Sequence, residues 1–211
     1  MGFFITFEGG EGSGKTTQLE KLAQTLEAEG YAVFKTREPG GTFTGAKIRQ
    51  ILLNGDHQDI QPLTELLLYA ADRAQHVQEV LRPALAADKI VLCDRYQDST
   101  DVYQGAARGL DKQWVQTLAD LATGGLKPDC TLLLDLPVEL GLQRSKNRLA
   151  EENSGEDRFE KEALEFHEKV RAGFLKKAQE EPKRFLVIDA TQNLDEIHQE
   201  ILNKIQARLP N

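Results

Sequence analysis

The stretch Gly9-Gly10-Glu11-Gly12-Ser13-Gly14-Lys15-Thr16-Thr17 constrains this chain more than any other, because it follows a short apolar run, Phe3-Phe4-Ile5-Thr6-Phe7, and opens an amphipathic segment. It has the form Gly-x4-Gly-Lys-Thr. Its glycines let the backbone turn tightly and aim N–H groups inward, Lys15 brings a point charge, and Thr16 brings an oxygen ligand suited to Mg²⁺. A plain strand-to-helix turn needs neither the lysine nor the hydroxyl at those offsets. The stretch from Gly9 to Thr17 therefore reads as a cradle for nucleotide phosphates. Leu19, Leu22, Ala23 and Leu26 recur at helical spacing behind it, so a helix N-terminus, with its unpaired N–H groups and positive dipole end, points at the same anion.

A length of 211 residues suits one α/β domain over 1–211, and neither a Pro- or Gly/Ser-rich linker nor an internal repeat divides it. The longest apolar runs are of strand length, far below the ~20 residues that span a bilayer. The N-terminus enters a strand almost at once and lacks a basic region followed by an apolar core, so a cytoplasmic protein without a membrane partner is expected. A net charge of −8 argues against a nucleic-acid polymer as partner, since duplex binding calls for a basic face. Cys93 and Cys130 sit in apolar, strand-like runs and are expected as buried free thiols. His57, His76, His167 and His198 lack metal-ligand spacing and read as surface or helix-face residues; no structural metal is assigned.

Further along, Tyr31–Thr36 reads as a second strand, and Arg37-Glu38-Pro39-Gly40-Gly41-Thr42 as a turn at its carboxyl end, where open α/β sheets bind ligands. Ile48, Ile51 and Leu52 suggest a short helix between Gly45 and Gly55 that carries Arg49. Pro62 starts a longer helix with Leu63, Leu66, Leu67 and Ala70 on its buried face. Tyr69 and Arg73 share one face of it, as a pair flanking a flat base or as an ordinary surface pair. Ile90–Cys93 reads as a strand covered on both faces that ends in Asp94-Arg95-Tyr96; the forked donors of an arginine there suit phosphate oxygens. Ser99–Gly105 gathers hydroxyl and amide groups. Trp114, Leu118, Leu121 and Ala122 form the expected buried stripe of the next helix. After a fourth strand at 130–135, a helix leads through Arg144 to Arg148. The segment Glu151–Asp157 has no apolar residue, and Arg158 follows it; this resembles a lid over transferring phosphates as well as a solvated charge run. Strand-like Phe185–Asp189 and a last helix complete five strands alternating with helices. The pattern predicts a three-layer α/β/α P-loop fold around a parallel sheet, its site at the strand carboxyl ends.

The phosphate loop at 9–17, Thr36-Arg37-Glu38-Pro39-Gly40-Gly41-Thr42, Asp94-Arg95-Tyr96, Tyr103-Gln104-Gly105 with Arg108-Gly109, and Asp157-Arg158-Phe159-Glu160 together resemble the thymidylate kinase family in its bacterial form, over nearly the whole chain. The resemblance implies ATP + dTMP ⇌ ADP + dTDP with Mg²⁺, strand order 2-3-1-4-5, a short helical lid at approximately 144–158, and a homodimer. It implies Lys15 on the ATP phosphates, Thr16 and Asp94 at Mg²⁺, and Glu11 at the acceptor sugar. Arg37, Arg49 and Arg95 would surround the acceptor phosphate, with Glu38 orienting one of them. Tyr69 would stack on thymine, Arg73, Thr100 and Gln104 would bond its edge, and Tyr103 would crowd a ribose 2′-hydroxyl. Arg144 and Gln192 resemble the adenine side. Position 12 is glycine where eukaryotic-type members carry arginine, so the catalytic cation is sought among Arg144, Arg148 and Arg158, with Arg148 first.

The rival enzymatic reading is a kinase for another nucleoside monophosphate or for a deoxynucleoside. A nucleotide switch is the rival of another class, and against it no Asn-Lys-x-Asp string occurs and no Asp-x-x-Gly follows the strand ending at Asp94.

Overall fold

The structure, a computed structural model, describes residues 2–54, 59–152 and 156–209, so the expectations at Gly55, His57 and 153–155 lie outside the described residues. Among the described residues, five strands, β1 (Phe3–Glu8), β2 (Val33–Arg37), β3 (Ile90–Asp94), β4 (Cys130–Asp135) and β5 (Phe185–Asp189), form a parallel sheet of order β2-β3-β1-β4-β5. Helices α1 (Lys15–Ala28) and α9 (Leu194–Ile205) cover one face. The other carries α2 (Phe43–Leu53), α3 (Pro62–His76), α4 (Arg82–Ala86), α5 (Gln97–Thr100), α6 (Lys112–Thr123) and α8 (Leu164–Glu180), while α7 (Val138–Glu152) follows β4.

Side-chain alternation along the strands sorts the core into these layers. Ile5, Phe7, Leu92, Leu132 and Leu134 pack with Leu22, Leu26, Ile197 and Ile201 on the α1/α9 side. Their sequence neighbours Phe4, Val91 and Cys93 meet Val77, Leu81 and Tyr96 on the opposite side, and Leu133 meets Val102 and Phe174. Both strand faces are covered, which is why these strands read as continuous apolar runs. Cys93 and Cys130 are buried and unpaired.

The strand order decides where the site forms. β1 lies in the middle, and the register pairs Phe7 with Asp94 and Arg37 with Asp94. Three carboxyl ends therefore finish at one level, delivering the glycine loop, the Arg37-Glu38 turn and the Asp94-Arg95 turn to a common space.

Several local expectations need correction. Helix α2 begins at Phe43, capped by the Thr42 hydroxyl, which accepts from Gly45 N at 2.9 Å; Gly45 lies inside the helix rather than bounding it. A Cβ there would lie 2.3 Å from Asp72 Oδ1, so the glycine serves the packing of α2 on α3. On α6 the buried stripe is Val115, Ala119 and Ala122, whereas Trp114 is 52% and Leu121 75% exposed. On α3, Leu66 is buried while Leu63 and Leu67 are exposed. Phe159 lies before α8 and packs with Tyr103 and Phe166. Two π-helical turns, Val77–Leu81 after α3 and Asp101–Ala107 after α5, have no counterpart in the sequence pattern. Among the described residues, no helix is long and apolar enough to cross a membrane.

Candidate active site

The three strand ends, α3, the π turn at Asp101–Ala107 and α7 enclose a cavity of about 770 Å³. Most residues singled out from the sequence line it: Glu11 through Thr17, Arg37, Glu38, Arg49, Tyr69, Arg73, Asp94, Arg95, Thr100, Tyr103, Gln104 and Arg148. Gly9 and Gly10 lie on the loop's far side against Leu134 and Asp135. Arg144 and Gln192 stand outside the cavity and meet the chain just after β5: Arg144 Nη1 donates to Ala190 O at 3.1 Å, and Gln192 Nε2 to Asp189 O at 3.3 Å.

The glycine loop is built by its backbone. Gly9, Gly12 and Gly14 have φ of 140°, 65° and 88°, values that glycine adopts without strain. Lys15 folds back over the loop, its Nζ donating to Gly10 O at 2.7 Å and Gly9 O at 3.1 Å. Burial, reinforced by the charge of Arg95, pulls its pKa down to about 8. The Thr16 hydroxyl donates to Asp94 Oδ2 at 2.6 Å, so the two expected Mg²⁺ ligands, far apart in sequence, stand together. A Cβ on Gly12 would lie 2.1 Å from Gly141 O, and one on Gly141 would lie 2.5 Å from Glu11 O. The loop and the first turn of α7 touch backbone to backbone, and α7 goes on to carry Arg144 and Arg148.

Three arginines of the cavity, Arg49, Arg73 and Arg95, already have a carboxylate in hydrogen-bonding reach. Arg95 Nη2 donates to Glu11 Oε1 at 3.1 Å, and its guanidinium lies 5.1 Å over the Tyr103 ring. The Tyr103 hydroxyl donates to both oxygens of Glu11, at 2.8 and 2.9 Å. Burial alone would raise the pKa of Glu11, but Arg95, His167 and Lys15 outweigh it and hold the carboxyl down to about 2. Arg73 is 2% exposed, which makes it a buried residue and not half of a surface pair with Tyr69. Its Nε donates to Glu38 Oε2 at 2.8 Å, and its Nη1 to Thr100 Oγ1 at 3.0 Å and Gln97 Oε1 at 2.8 Å. Arg49 holds Glu156 through Nε and Nη2, at 3.0 and 2.6 Å.

The lid arginines differ in setting. Arg158 is buried, with Nη2 2.6 Å from Glu65 Oε2 and Nη1 donating to Leu52 O. Arg148 faces the cavity, half exposed and 3.9 Å from Glu160.

Sequence reasoning missed the supporting carboxylates and two histidines. Glu65 accepts from Gln104 Nε2 at 2.7 Å as well as from Arg108. His76, completely buried, joins Glu38 Oε1 to Thr36 Oγ1, and buried His167 lies 3.6 Å from Glu11 Oε2, so neither is a surface residue. Glu8 was also passed over, although a carboxylate ending an apolar strand directly before Gly9 is a readable signal.

A profile of the thymidylate kinase family matches residues 7–201. The chain belongs to the thymidylate kinase family. It is 54% identical over 210 residues to the thymidylate kinase of Geotalea uraniireducens, covering 99% of each chain, and 57% identical over 189 residues to that of Desulfosudis oleivorans, covering 89% of this chain and 88% of the relative. The crystal structure of thymidylate kinase from Ehrlichia chaffeensis superposes with a TM-score of 0.79 at 33% identity, covering 97% of this chain and 99% of that one.

Within this family member, Glu8 has the most testable electrostatics. Burial, aided by the negative charge of Asp98, pushes its carboxyl up to about 7, against the opposing pull of Ser99 and Arg95. A raised folded-state pKa means that the native chain binds the proton more tightly than the unfolded one. Its stabilising share is therefore full below about pH 4.5 and is lost as pH rises through about 7. The Tm of Glu8→Gln relative to the parent should rise by about 5 to 10 °C between pH 4 and pH 8, read from thermal unfolding curves across that range.

Proposed function

We propose that this chain phosphorylates dTMP to dTDP with ATP and Mg²⁺ as a single P-loop kinase domain over 1–211, supplying a precursor of DNA. The observation that carries this is the meeting, in one cavity, of the loop's Lys15 and Thr16 with Asp94 and the guanidinium groups of Arg37, Arg49 and Arg95, in a chain of this family.

Phosphoryl transfer leaves little covalent work to a protein, so alignment and positive charge are what the residues supply. Lys15 and the N–H groups from Gly9 to Thr17 would bind the ATP phosphates, with Arg144 and Gln192 toward the adenine. Thr16 and Asp94 fit Mg²⁺, since a hydroxyl and a carboxylate 2.6 Å apart would offer it the hard oxygen ligands that it prefers. Bound there, the ion would neutralise charge on the phosphate oxygens. Arg37, Arg49 and Arg95 would take the acceptor phosphate; Glu38, expected to orient one of them, instead pairs with Arg73 and His76 and would hold Arg73 for the base. Glu11 would accept from the sugar 3′-hydroxyl. Tyr69 would lie on thymine, and Arg73, Thr100 and Gln104 would bond its edge. Tyr103, anchored on Glu11, would stand where a ribose 2′-hydroxyl would project. The acceptor phosphate is itself the nucleophile, and no general base is assigned.

Arg148 is proposed as the cation that meets the transferring group. Gly12 has no side chain for that work, and the 2.1 Å approach of Gly141 O leaves no room for one. Arg148 lines the cavity, whereas Arg158 is committed to buried Glu65. A homodimer is proposed through the neighbouring helices α2, α3 and α6, which expose the large apolar side chains Phe43 (80%), Leu67 (48%) and Leu121 (75%) on adjoining elements. The setting proposed is the cytoplasm.

ADP release from ATP, followed with dTMP, dUMP, UMP, CMP, AMP, GMP and thymidine in parallel, should be fastest with dTMP; fast turnover with thymidine instead would overturn the monophosphate assignment. Arg148→Ala should lower kcat by about 10²- to 10⁵-fold with little change in Tm, and near-normal turnover in it alongside an inactive Arg144→Ala or Arg158→Ala would reassign the role. Phe43→Asp combined with Leu67→Asp should yield a monomer in light scattering, where the parent gives a dimer.

A further inference from the structure

Arg95 is held in a conformation that arginine does not choose. Its φ is 68°, and among the described residues the only other non-glycine residue with positive φ is Asp88. In that region Cβ crowds the carbonyl, so the surrounding structure has to impose the shape. The Arg95 N–H donates to Phe7 O at 3.0 Å, as the next step of the sheet ladder would. The next N–H, of Tyr96, finds no strand carbonyl. It donates to the side chain of Glu8, to Oε1 at 2.8 Å.

The other carboxylate oxygen faces the far side of the same turn. Ser99 Oγ donates to Glu8 Oε2 at 2.6 Å and accepts from Arg95 Nη1 at 3.2 Å. Glu8 thus holds both the backbone after Arg95 and, one hydroxyl removed, its guanidinium. Nη1 also donates to Gly9 O at 3.1 Å, the residue next to Glu8, and Nη2 is held by Glu11. Once ionised, above about pH 7, the Glu8 carboxylate is acceptor-only and receives from an amide N–H and a hydroxyl at once, whereas a glutamine turns a donor toward one of them. Glu8 is completely buried, and among the described residues no basic side chain donates to it. Burial and the nearby charge of Asp98 make its own charge unfavourable there.

We propose that Glu8 is a positioning residue for recognition of the acceptor's phosphate: through the Tyr96 N–H and the Ser99 hydroxyl it fixes the left-handed turn at Arg95 and aims the guanidinium into the cavity. The inference rests on the reading of Arg95 as a phosphate-binding group. Glu8 would touch no substrate, so its removal should act on the phosphate alone and leave recognition of the sugar and base as it was. A carboxylate that merely braced the fold would weaken every ligand together, or none.

Calorimetric titration at pH 8.5, where Glu8 is ionised, of dTMP and of thymidine into the parent, Glu8→Gln, Ser99→Ala and the double variant separates these outcomes, with Tm recorded for each. Each single variant should bind dTMP roughly tenfold more weakly while thymidine binding stays within about twofold, and the double variant should be no weaker than Glu8→Gln, since both substitutions break one relay. Unchanged dTMP affinity in the folded variants, parallel weakening of both ligands, or additive losses in the double variant would each overturn the proposal. A parent that binds thymidine as tightly as dTMP would overturn the functional reading and this inference with it, whereas a phosphate preference that survives in both variants would overturn this inference alone.

Discussion

An arginine that has to receive an anion must remain charged, ordered and aimed while the anion is away, and the rest of the site is arranged around that constraint. Desolvating a guanidinium is costly unless a carboxylate stands against it. The cavity meets the requirement repeatedly, with Glu38 on Arg73, Glu11 on Arg95 and Glu156 on Arg49, and buried Glu65 gathers Arg108 and Arg158 beneath. The pairs are not equivalent. Arg73–Glu38 is sealed from solvent and extended through His76 to Thr36, which suits a fixed wall. Arg49–Glu156 is partly exposed and bidentate, the geometry that a phosphate uses with the same fork.

The sheet supplies the precision that these pairs require. Because β1 stands between β3 and β4, and β2 adds beyond β3, the ends of three strands fall in one row, and the loops that follow them need only short excursions to meet. Thr16 and Asp94 come within a hydrogen bond without any long flexible connection. Groups on strand ends keep their positions better than groups on free loops, which matters where charge has to be aligned with a transferring phosphoryl group.

The strands, most of the helices and nearly all the cationic residues of the site could be read from the sequence, because each leaves a local mark: an apolar run, a 3.6-residue period, a glycine loop with its lysine. What could not be read were relations between distant positions. Nothing near Glu65 announces Arg158, and nothing near Arg49 announces Glu156. His76 and His167 looked like helix-face residues because helical spacing does not say which face meets a carboxylate. On α6 the period was right and the phase was wrong: the small residues Val115, Ala119 and Ala122 pack inward while Trp114 and Leu121 face out, opposite to what size suggests. The π-helical turns shift the phase by one residue and leave no compositional trace.

The backbone contact between Gly12 and Gly141 bears on how such chains diverge. With Gly141 O 2.1 Å from where a Cβ on residue 12 would stand, and Glu11 O 2.5 Å from one on residue 141, neither glycine can be exchanged while the other backbone stays in place. A chain with a side chain at residue 12 would have to move α7 first, and Arg144 and Arg148 with it. Residue 12 and the start of α7 are thus coupled by one steric contact, so a side chain added at either requires the other backbone to shift.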